Sequence, residues 1–171
     1  MATACGVRQI LRATTLVTRS LIHSHMTWKK GRGKLGPLEP LIGSWVASAD
    51  SPMGKVECTR VFKPVLGEKY ITLNCTWSFG KGAYEEHAIF GVDDGTLSFW
   101  SFTSDGKRSN GVLSSAPDIH TTAICFEAKM PAGIARQIYW PNEAGGFNWA
   151  VESRTKKGWN RFALHHYKAG K

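Results

Sequence analysis

Few side chains of this 171-residue chain have the types and spacing that chemistry requires. Glu85 and His87 lie two positions apart, and a carboxylate beside an imidazole can perform general acid–base catalysis. In a strand these two side chains would share a face, whereas Glu86 would point to the opposite side. No order of Ser, His and Asp or of Cys and His forms a recognisable nucleophile motif. The sequence therefore supplies no convincing catalytic set, and an enzyme is the least favoured function.

The cysteines fit neither a disulfide framework nor a zinc site. Cys58, Cys75 and Cys125 each lie inside an apolar, strand-like run, and no Cys-x-x-Cys pair is present. We interpret these three residues as small, buried side chains, as expected in a reducing compartment. The spacing of the cysteines predicts no metal ion.

Aromatic and charged side chains recur on the same runs and are candidates for a ligand pocket. Aromatic residues also fill the core of a well-packed sheet protein, so both interpretations stay open. Arginine can bind a ligand carboxylate through paired hydrogen bonds. The residues that we predict to contact a ligand are Trp77, Trp100, Tyr139, Trp149, Arg60, Arg136 and His87.

Ten short runs must position these side chains, and turn signals such as Asp-Asp-Gly and Ser-Asp-Gly separate them. Each run is apolar or alternates between polar and apolar residues, which predicts β-strands joined by tight turns. The predicted strands are 41–49, 55–63, 69–79, 83–92, 96–103, 107–114, 120–129, 134–140, 147–154 and 159–167.

Regular strands with short connections favour an all-β fold, an up-and-down antiparallel β-barrel over residues 41–168. Closing the sheet removes its exposed edges, and a two-sheet sandwich is the alternative. A barrel of about eight to ten strands can hold one small ligand in its interior. In the last run, alternation places Arg161 on the same face as His165, but both faces mix polar and apolar residues, so the inward face stays open.

The first 26 residues differ in composition from the rest of the chain. They contain Arg8, Arg12 and Arg19, many Ser, Thr and Ala residues, and no acid. An amphipathic, Arg-rich and acid-poor segment is typical of a mitochondrial targeting presequence; a disordered basic tail is the alternative. We therefore predict a location in the mitochondrial matrix or on the matrix face of the inner membrane.

Most of the net charge of +9 belongs to the N-terminal part of the chain. From residue 35 onward there are 15 Lys and Arg against 13 Asp and Glu, so this body lacks the electrostatic footprint of a nucleic-acid-binding protein. Residues 27–40 are predicted to form a basic Gly/Pro linker. The cations of this linker could contact an anionic membrane or RNA; they are Lys29, Lys30, Arg32 and Lys34. No stretch approaches the roughly 18 uncharged apolar residues of a membrane-spanning helix.

Several motifs, in order, resemble the calycin superfamily of lipocalins, fatty-acid-binding proteins and their relatives. They resemble most closely a bacterial calycin-like family of unknown function, over about Leu41 to Tyr167. The matching segments are Gly43-Ser44-Trp45, Arg60-Val61-Phe62, Leu66-Gly67, residues 87–93 (HAIFGVD) and residues 99–106 (FWSFTSDG). The resemblance implies a barrel whose closed end is plugged by Trp45, with Arg161 of the last strand stacked over the indole.

Nitrobindins are haem-binding barrels of related type, in which a histidine of a late strand is the haem ligand. That resemblance implies His165 or His166 as a haem ligand, and it is the only cofactor that we consider. The leading expectation is a non-catalytic binding module for a small, largely apolar ligand. The alternatives are a structural accessory subunit of a large mitochondrial assembly and a haem-binding barrel.

Overall fold

A computed structural model describes residues 28–51 and 54–170 of the chain. In these residues ten strands form a closed barrel in which the strand order follows the chain and the first strand pairs with the last. Every neighbouring pair is antiparallel. The predicted up-and-down β-barrel is therefore confirmed. The predicted presequence, residues 1–26, lies outside the described residues.

The ten strands each overlap the run that was predicted for them. Their turns rely on residues such as Gly95 and Gly106, whose φ angles of 76° and 78° lie in a region that glycine enters without steric cost. The strands are β1 (Gly43–Ser51), β2 (Gly54–Val65), β3 (Tyr70–Phe79), β4 (Gly82–Asp93), β5 (Thr96–Thr103), β6 (Arg108–Ser114), β7 (Ile124–Met130), β8 (Gly133–Pro141), β9 (Phe147–Thr155) and β10 (Gly158–Ala169).

One end of the barrel, where β1 begins and β10 ends, is closed by apolar side chains. A 3₁₀ helix, Gly36–Leu41, covers the end of the predicted linker and the first residue of the predicted first strand, and it buries Leu38 and Leu41 completely. Trp45 donates a hydrogen bond from Nε1 to the Leu41 carbonyl at 2.7 Å, and its ring lies edge-on to Phe147 at 4.9 Å. Trp45 thus lies at the closed end, where the resemblance placed it.

The basic segment that precedes this helix is packed against the barrel. Trp28 donates from Nε1 to the Thr122 carbonyl at 3.1 Å, and Lys30 donates from Nζ to the Ala123 carbonyl at 3.1 Å. Lys34 donates from Nζ to the Gly95 carbonyl at 2.6 Å. All four cations suggested for an anionic partner are exposed, and two of them, Lys30 and Lys34, also donate to backbone carbonyls at the closed end.

A second buried layer lies outside the barrel wall, beneath the loop 115–123. Ala116 of this loop packs with Cys125 of β7 and Ile138 of β8, and the last two side chains are fully buried. The prediction that a strand begins at residue 120 is wrong. The Ala116 carbonyl accepts hydrogen bonds from the N–H groups of Ile119 and His120, so the chain turns there and β7 begins at Ile124.

Charged side chains fasten this loop to the wall. Arg136 donates to Asp118 through Nη1 at 3.0 Å and Nη2 at 2.6 Å, and to Glu152 through Nε at 2.8 Å. Its guanidinium also lies 4.1 Å from the ring centroid of Trp159. Arg161 donates from Nε to the other oxygen of Glu152 at 2.8 Å. Glu152 is thus a buried carboxylate held by two arginines, and the Arg136 guanidinium holds the pKa of Asp118 below its usual range.

Arg136→Met should destabilise the protein by about 3 kcal/mol, because buried Glu152 loses one of its two cationic partners. Asp118→Asn should cost about 1 kcal/mol, since it weakens a pair whose acid is half-exposed. Urea unfolding of each variant measures both values. The double variant Arg136→Met/Glu152→Gln should recover part of the loss, and equal stability of the single and double variants would contradict this account.

Candidate functional site

The interior of the barrel contains a charged layer about halfway along its axis. The sheet register aligns Arg60 of β2 with Cys75 of β3, and Cys75 with Glu86 of β4. Arg60 is completely buried, and Glu86 lines the main cavity of the barrel. A cation and an anion thus face the same interior from strands that are two positions apart in the sheet.

Arg60 is surrounded by aromatic side chains. Its Nε donates to the Tyr167 hydroxyl at 3.0 Å, and its Nη1 donates to the Tyr139 hydroxyl at 3.2 Å. The guanidinium carbon lies 4.0 Å from the ring centroid of Trp149, a cation–π contact. Among the described residues Arg60 forms no ion pair, although the charge of Glu86 acts on it from a greater distance. Arginine stays protonated in proteins, so this site holds a permanent positive charge.

Three buried hydrogen-bond donors near Arg60 have no acceptor in the described part of the protein. They are Nη2 of Arg60 and the indole Nε1 atoms of Trp77 and Trp149. The centroids of the two indole rings are 5.8 Å apart, and the Arg60 guanidinium is 4.0 Å from that of Trp149, so the three groups that carry these donors are neighbours. We call this group the donor cluster. Leaving a buried donor unpaired costs roughly 1–3 kcal/mol, so an acceptor at this position would stabilise the protein.

A cavity of about 510 Å³ extends from these rings toward the open end of the barrel, where β3 ends and β4 begins. This volume is within the range of small-molecule sites, about 300–1,000 Å³. The walls are predominantly apolar, and Tyr84, Met130 and Phe162 lie near the mouth. Deeper side chains that line the cavity include Trp77, Trp149, Phe99, Phe126, Ser101 and Glu86.

Glu86 is a site residue that the sequence analysis passed over in favour of Glu85 and His87. Its Oε1 accepts a hydrogen bond from Ser101 Oγ at 2.6 Å. The alternation in β4 places Glu86 on the same face as Ala88 and Phe90, which are buried in the core. The sequence could have identified Glu86 as an inward-facing residue, because Glu86 lies on the same strand face as these two apolar residues.

Four of the seven predicted ligand contacts lie in the interior and three do not. Arg60, Trp77, Tyr139 and Trp149 point inward, and Trp77 and Trp149 line the cavity itself. His87 is exposed on the outer face, where its Nδ1 is 2.7 Å from Asn74 Oδ1. Trp100 alternates with inward-facing Phe99 and Ser101, so its side chain is also outside. The prediction of interior positions for these two residues is wrong.

The third of these residues is Arg136, which borders the cavity, although its guanidinium is bound to Asp118 and Glu152 at the outer loop and so does not face a ligand. The proposed stacking of Arg161 on Trp45 is also wrong. The register pairs Trp45 with Ala169, whereas Arg161 pairs with Glu152 eight residues earlier on β10. A β-bulge between Arg161 and Ala163 explains why simple alternation failed here, because the extra residue moves Arg161 to the outer face.

The two adjacent histidines of β10 face opposite sides, as expected. His166 is outside, with Nδ1 2.6 Å from Asn148 Oδ1. His165 is inside, and its ring centroid is 5.3 Å from that of Trp149 and 6.0 Å from that of Trp77. Burial, with the charge of Arg60 next, lowers the pKa of His165 to about 4. His165 is not among the residues that line the cavity, and the haem site stays a prediction.

The described cysteines are all buried. Burial raises the pKa of Cys58 to about 11 and that of Cys125 to about 12. These thiols are therefore protonated at neutral pH, which suits packing and not nucleophilic chemistry.

No protein-family model matches the chain, and no curated protein matches it significantly. The likeness to calycins therefore depends on the motifs quoted above. Within residues 28–51 and 54–170, no group of three or more His, Cys, Asp and Glu side chains could hold a metal ion. No helix in the same ranges is both long enough and apolar enough to span a bilayer.

His165 should make the fold sensitive to acid. Its pKa is about 4 in the folded protein and 6.5 in the unfolded chain, so the unfolded chain binds more protons between these values. Stability should fall as the pH drops from about 6.5 to about 4. Because the ring is only half-buried, the loss should be on the order of 1–2 kcal/mol.

His165→Gln should remove this part of the acid sensitivity, measured as the free energy of urea unfolding at a series of pH values. His87→Gln is the matched control, since that ring is exposed on the outer face and does not act on His165, and it should retain the wild-type slope. Equal slopes for the wild type and His165→Gln would refute the assignment.

Proposed function

We propose that this protein is a non-catalytic binding module that holds one small, largely apolar ligand inside its barrel. The observation that carries the proposal is the cavity of about 510 Å³, whose wall includes Trp77 and Trp149 of the donor cluster, with Arg60 packed directly behind the Trp149 ring. The calycin-like motifs of the sequence agree with it. In this proposal the apolar walls select the body of the ligand, and the donors select one end of it.

The donor cluster favours a ligand that ends in a carboxylate or another anionic acceptor. Arg60 is a buried cation without an ion pair in the described residues, and such a charge is costly unless an anion or several acceptors surround it. The hydroxyls of Tyr167 and Tyr139 are two such acceptors for the Arg60 guanidinium. An anionic acceptor beside Nη2 would supply the rest, and the indole N–H groups would add further hydrogen bonds.

Glu86 sets a second condition on the ligand. Its carboxylate lines the cavity and receives a hydrogen bond from Ser101 at Oε1. An anion placed against this wall would be repelled, whereas a hydroxyl or amine would donate to it. The ligand would therefore carry its acceptor toward Arg60 and either apolar surface or a donor toward Glu86.

We also propose that the protein functions in the mitochondrial matrix or on the matrix face of the inner membrane. The support is the composition of residues 1–26, with three arginines and no acid. Import of a fluorescent fusion into mitochondria, and its loss when Arg8, Arg12 and Arg19 are all replaced by Glu, would test this location.

Filling the cavity should abolish binding. Ala128 lines the cavity, and Ala128→Trp would place an indole in it. Val112→Trp adds the same group on the exposed outer face and is the matched control. The fluorescence of the anionic probe 1-anilinonaphthalene-8-sulfonate, titrated into the folded full-length chain, should rise with the wild type and the control but not with Ala128→Trp.

Native mass spectrometry and an absorbance spectrum of the purified full chain complete this test. An added mass that Ala128→Trp loses supports the carrier, and a Soret band would replace it with the haem alternative. No added mass, together with equal probe binding by the wild type and Ala128→Trp, would overturn the proposal in favour of an accessory subunit.

Arg60→Met should abolish the preference for an anionic end. A charge-assisted hydrogen bond is worth about 1.5–3 kcal/mol, so 2-naphthoate should bind the wild type roughly 10- to 100-fold more tightly than 2-naphthylmethanol. In Arg60→Met the two probes should bind about equally, whereas Arg32→Met, which removes an exposed arginine, should leave the preference unchanged. A preference that survives in Arg60→Met would show that another group selects the acceptor.

A further inference from the structure

The open end of the barrel is strongly basic, although the body as a whole is close to neutral. We use the name basic rim for the exposed cations in and next to the hairpin turns of this end. The described acids at this end are Asp50, Asp105 and Glu85, whose backbone bonds Ser104 of the β5–β6 turn, which gives this end a net charge of +5. The basic rim consists of Lys55, Lys81, Lys107, Arg108, Lys129, Arg154, Lys156 and Lys157, all of them exposed.

The opposite end has a different charge pattern. Among the described residues, five exposed acids and six exposed cations nearly cancel there: Glu39, Glu68, Asp93, Asp94 and Glu143 against Lys29, Lys30, Arg32, Lys34, Lys69 and Lys168. At this end Lys30 and Lys34 of the N-terminal segment donate to backbone carbonyls. The positive charge of the barrel is therefore concentrated around the mouth of the cavity, and it is not spread evenly over the surface.

Two large apolar side chains protrude within the basic rim. Phe162 is 64% exposed and Met130 is 40% exposed, and both lie at the mouth of the cavity. Phe162 is the extra residue of the β-bulge in β10, so its position follows from an irregularity of the strand. Water-exposed apolar groups ringed by cations match the boundary of an anionic bilayer, where headgroups meet acyl chains.

We propose that the open end docks on an anionic phospholipid membrane. The basic rim contacts the phosphate headgroups, and Phe162 and Met130 enter the interfacial layer. A lysine or arginine near an anionic bilayer contributes roughly fivefold to affinity, so several cations acting together suffice for reversible binding. Single-stranded nucleic acid would explain the cations and a stacking phenylalanine. It does not explain Met130 or the apolar cavity that opens beside both side chains, so lipid is the favoured partner.

This proposal does not require that the cavity hold a ligand. Docking depends on side chains at the rim, whereas ligand binding depends on the donor cluster and the walls deeper inside. The Ala128→Trp variant should therefore keep its affinity for membranes. Failure of one proposal can thus be distinguished from failure of the other.

Vesicle co-sedimentation of the full-length chain tests the proposal. Mixed phosphatidylglycerol–phosphatidylcholine vesicles should bind the protein, and vesicles of phosphatidylcholine alone should not. Reversing three rim cations, in Lys129→Glu/Lys156→Glu/Lys157→Glu, should weaken binding about 100-fold or more. The matched control Lys63→Glu/Lys69→Glu/Lys168→Glu makes the same change in net charge away from the open end and should bind nearly as well as the wild type.

The apolar contribution has its own pair of variants. Phe162→Ser should weaken vesicle binding, while Leu66→Ser, at an exposed position in a turn of the closed end, should leave it unchanged. Equal losses from the two charge-reversal triples would overturn the proposal, because binding would then follow net charge alone. Tighter binding to single-stranded RNA than to the anionic vesicles would also overturn it, in favour of nucleic acid.

Discussion

A closed antiparallel sheet gives every strand one face toward the interior and one toward the outside, and this constraint decides the role of each side chain here. Arg60, Cys75 and Glu86 become neighbours in the interior because the register of β2, β3 and β4 aligns them. His87 differs from Glu86 by one position and faces solvent. Whether a side chain can contact a ligand in the barrel therefore depends on which face of its strand it occupies, more than on how close it is in sequence to other polar residues.

On one side of the barrel, the outer face of the wall is covered by a packed loop. The loop 115–123 covers Cys125 and Ile138, and the ion pairs of Arg136 with Asp118 and Glu152 hold it there. The barrel wall consequently has packed side chains on both faces in β7 and β8. Arginine serves opposite purposes on the two faces, since Arg136 is neutralised by carboxylates, whereas Arg60 is stabilised by aromatic rings and hydroxyls.

Most of the architecture could be predicted from the sequence because turn signals and period-two alternation report it directly. The site was harder to predict because alternation gives two faces without saying which is inside. In β4 the buried pair Ala88 and Phe90 settles the choice, and it points to Glu86. In β10 no sequence pattern predicts the bulge at Phe162, so alternation grouped Arg161 with His165 although the two side chains face opposite sides of the wall. The outer layer depends on contacts between residues distant in sequence, such as Asp118 with Arg136. The periodicity of apolar residues along a strand contains no information about such contacts.

The seam between the first and last strands has a mechanical consequence. β1 pairs with β10 at Trp45 and Val46, near the closed end, whereas it pairs with β2 at nine positions, from Gly43 to Ser51. Because two ladder pairs join β1 to β10 and nine join β1 to β2, separating β1 from β10 breaks fewer backbone hydrogen bonds than separating β1 from β2. The boundary between β1 and β10 is therefore the weakest part of the barrel wall, from the mouth as far as Trp45 at the closed end.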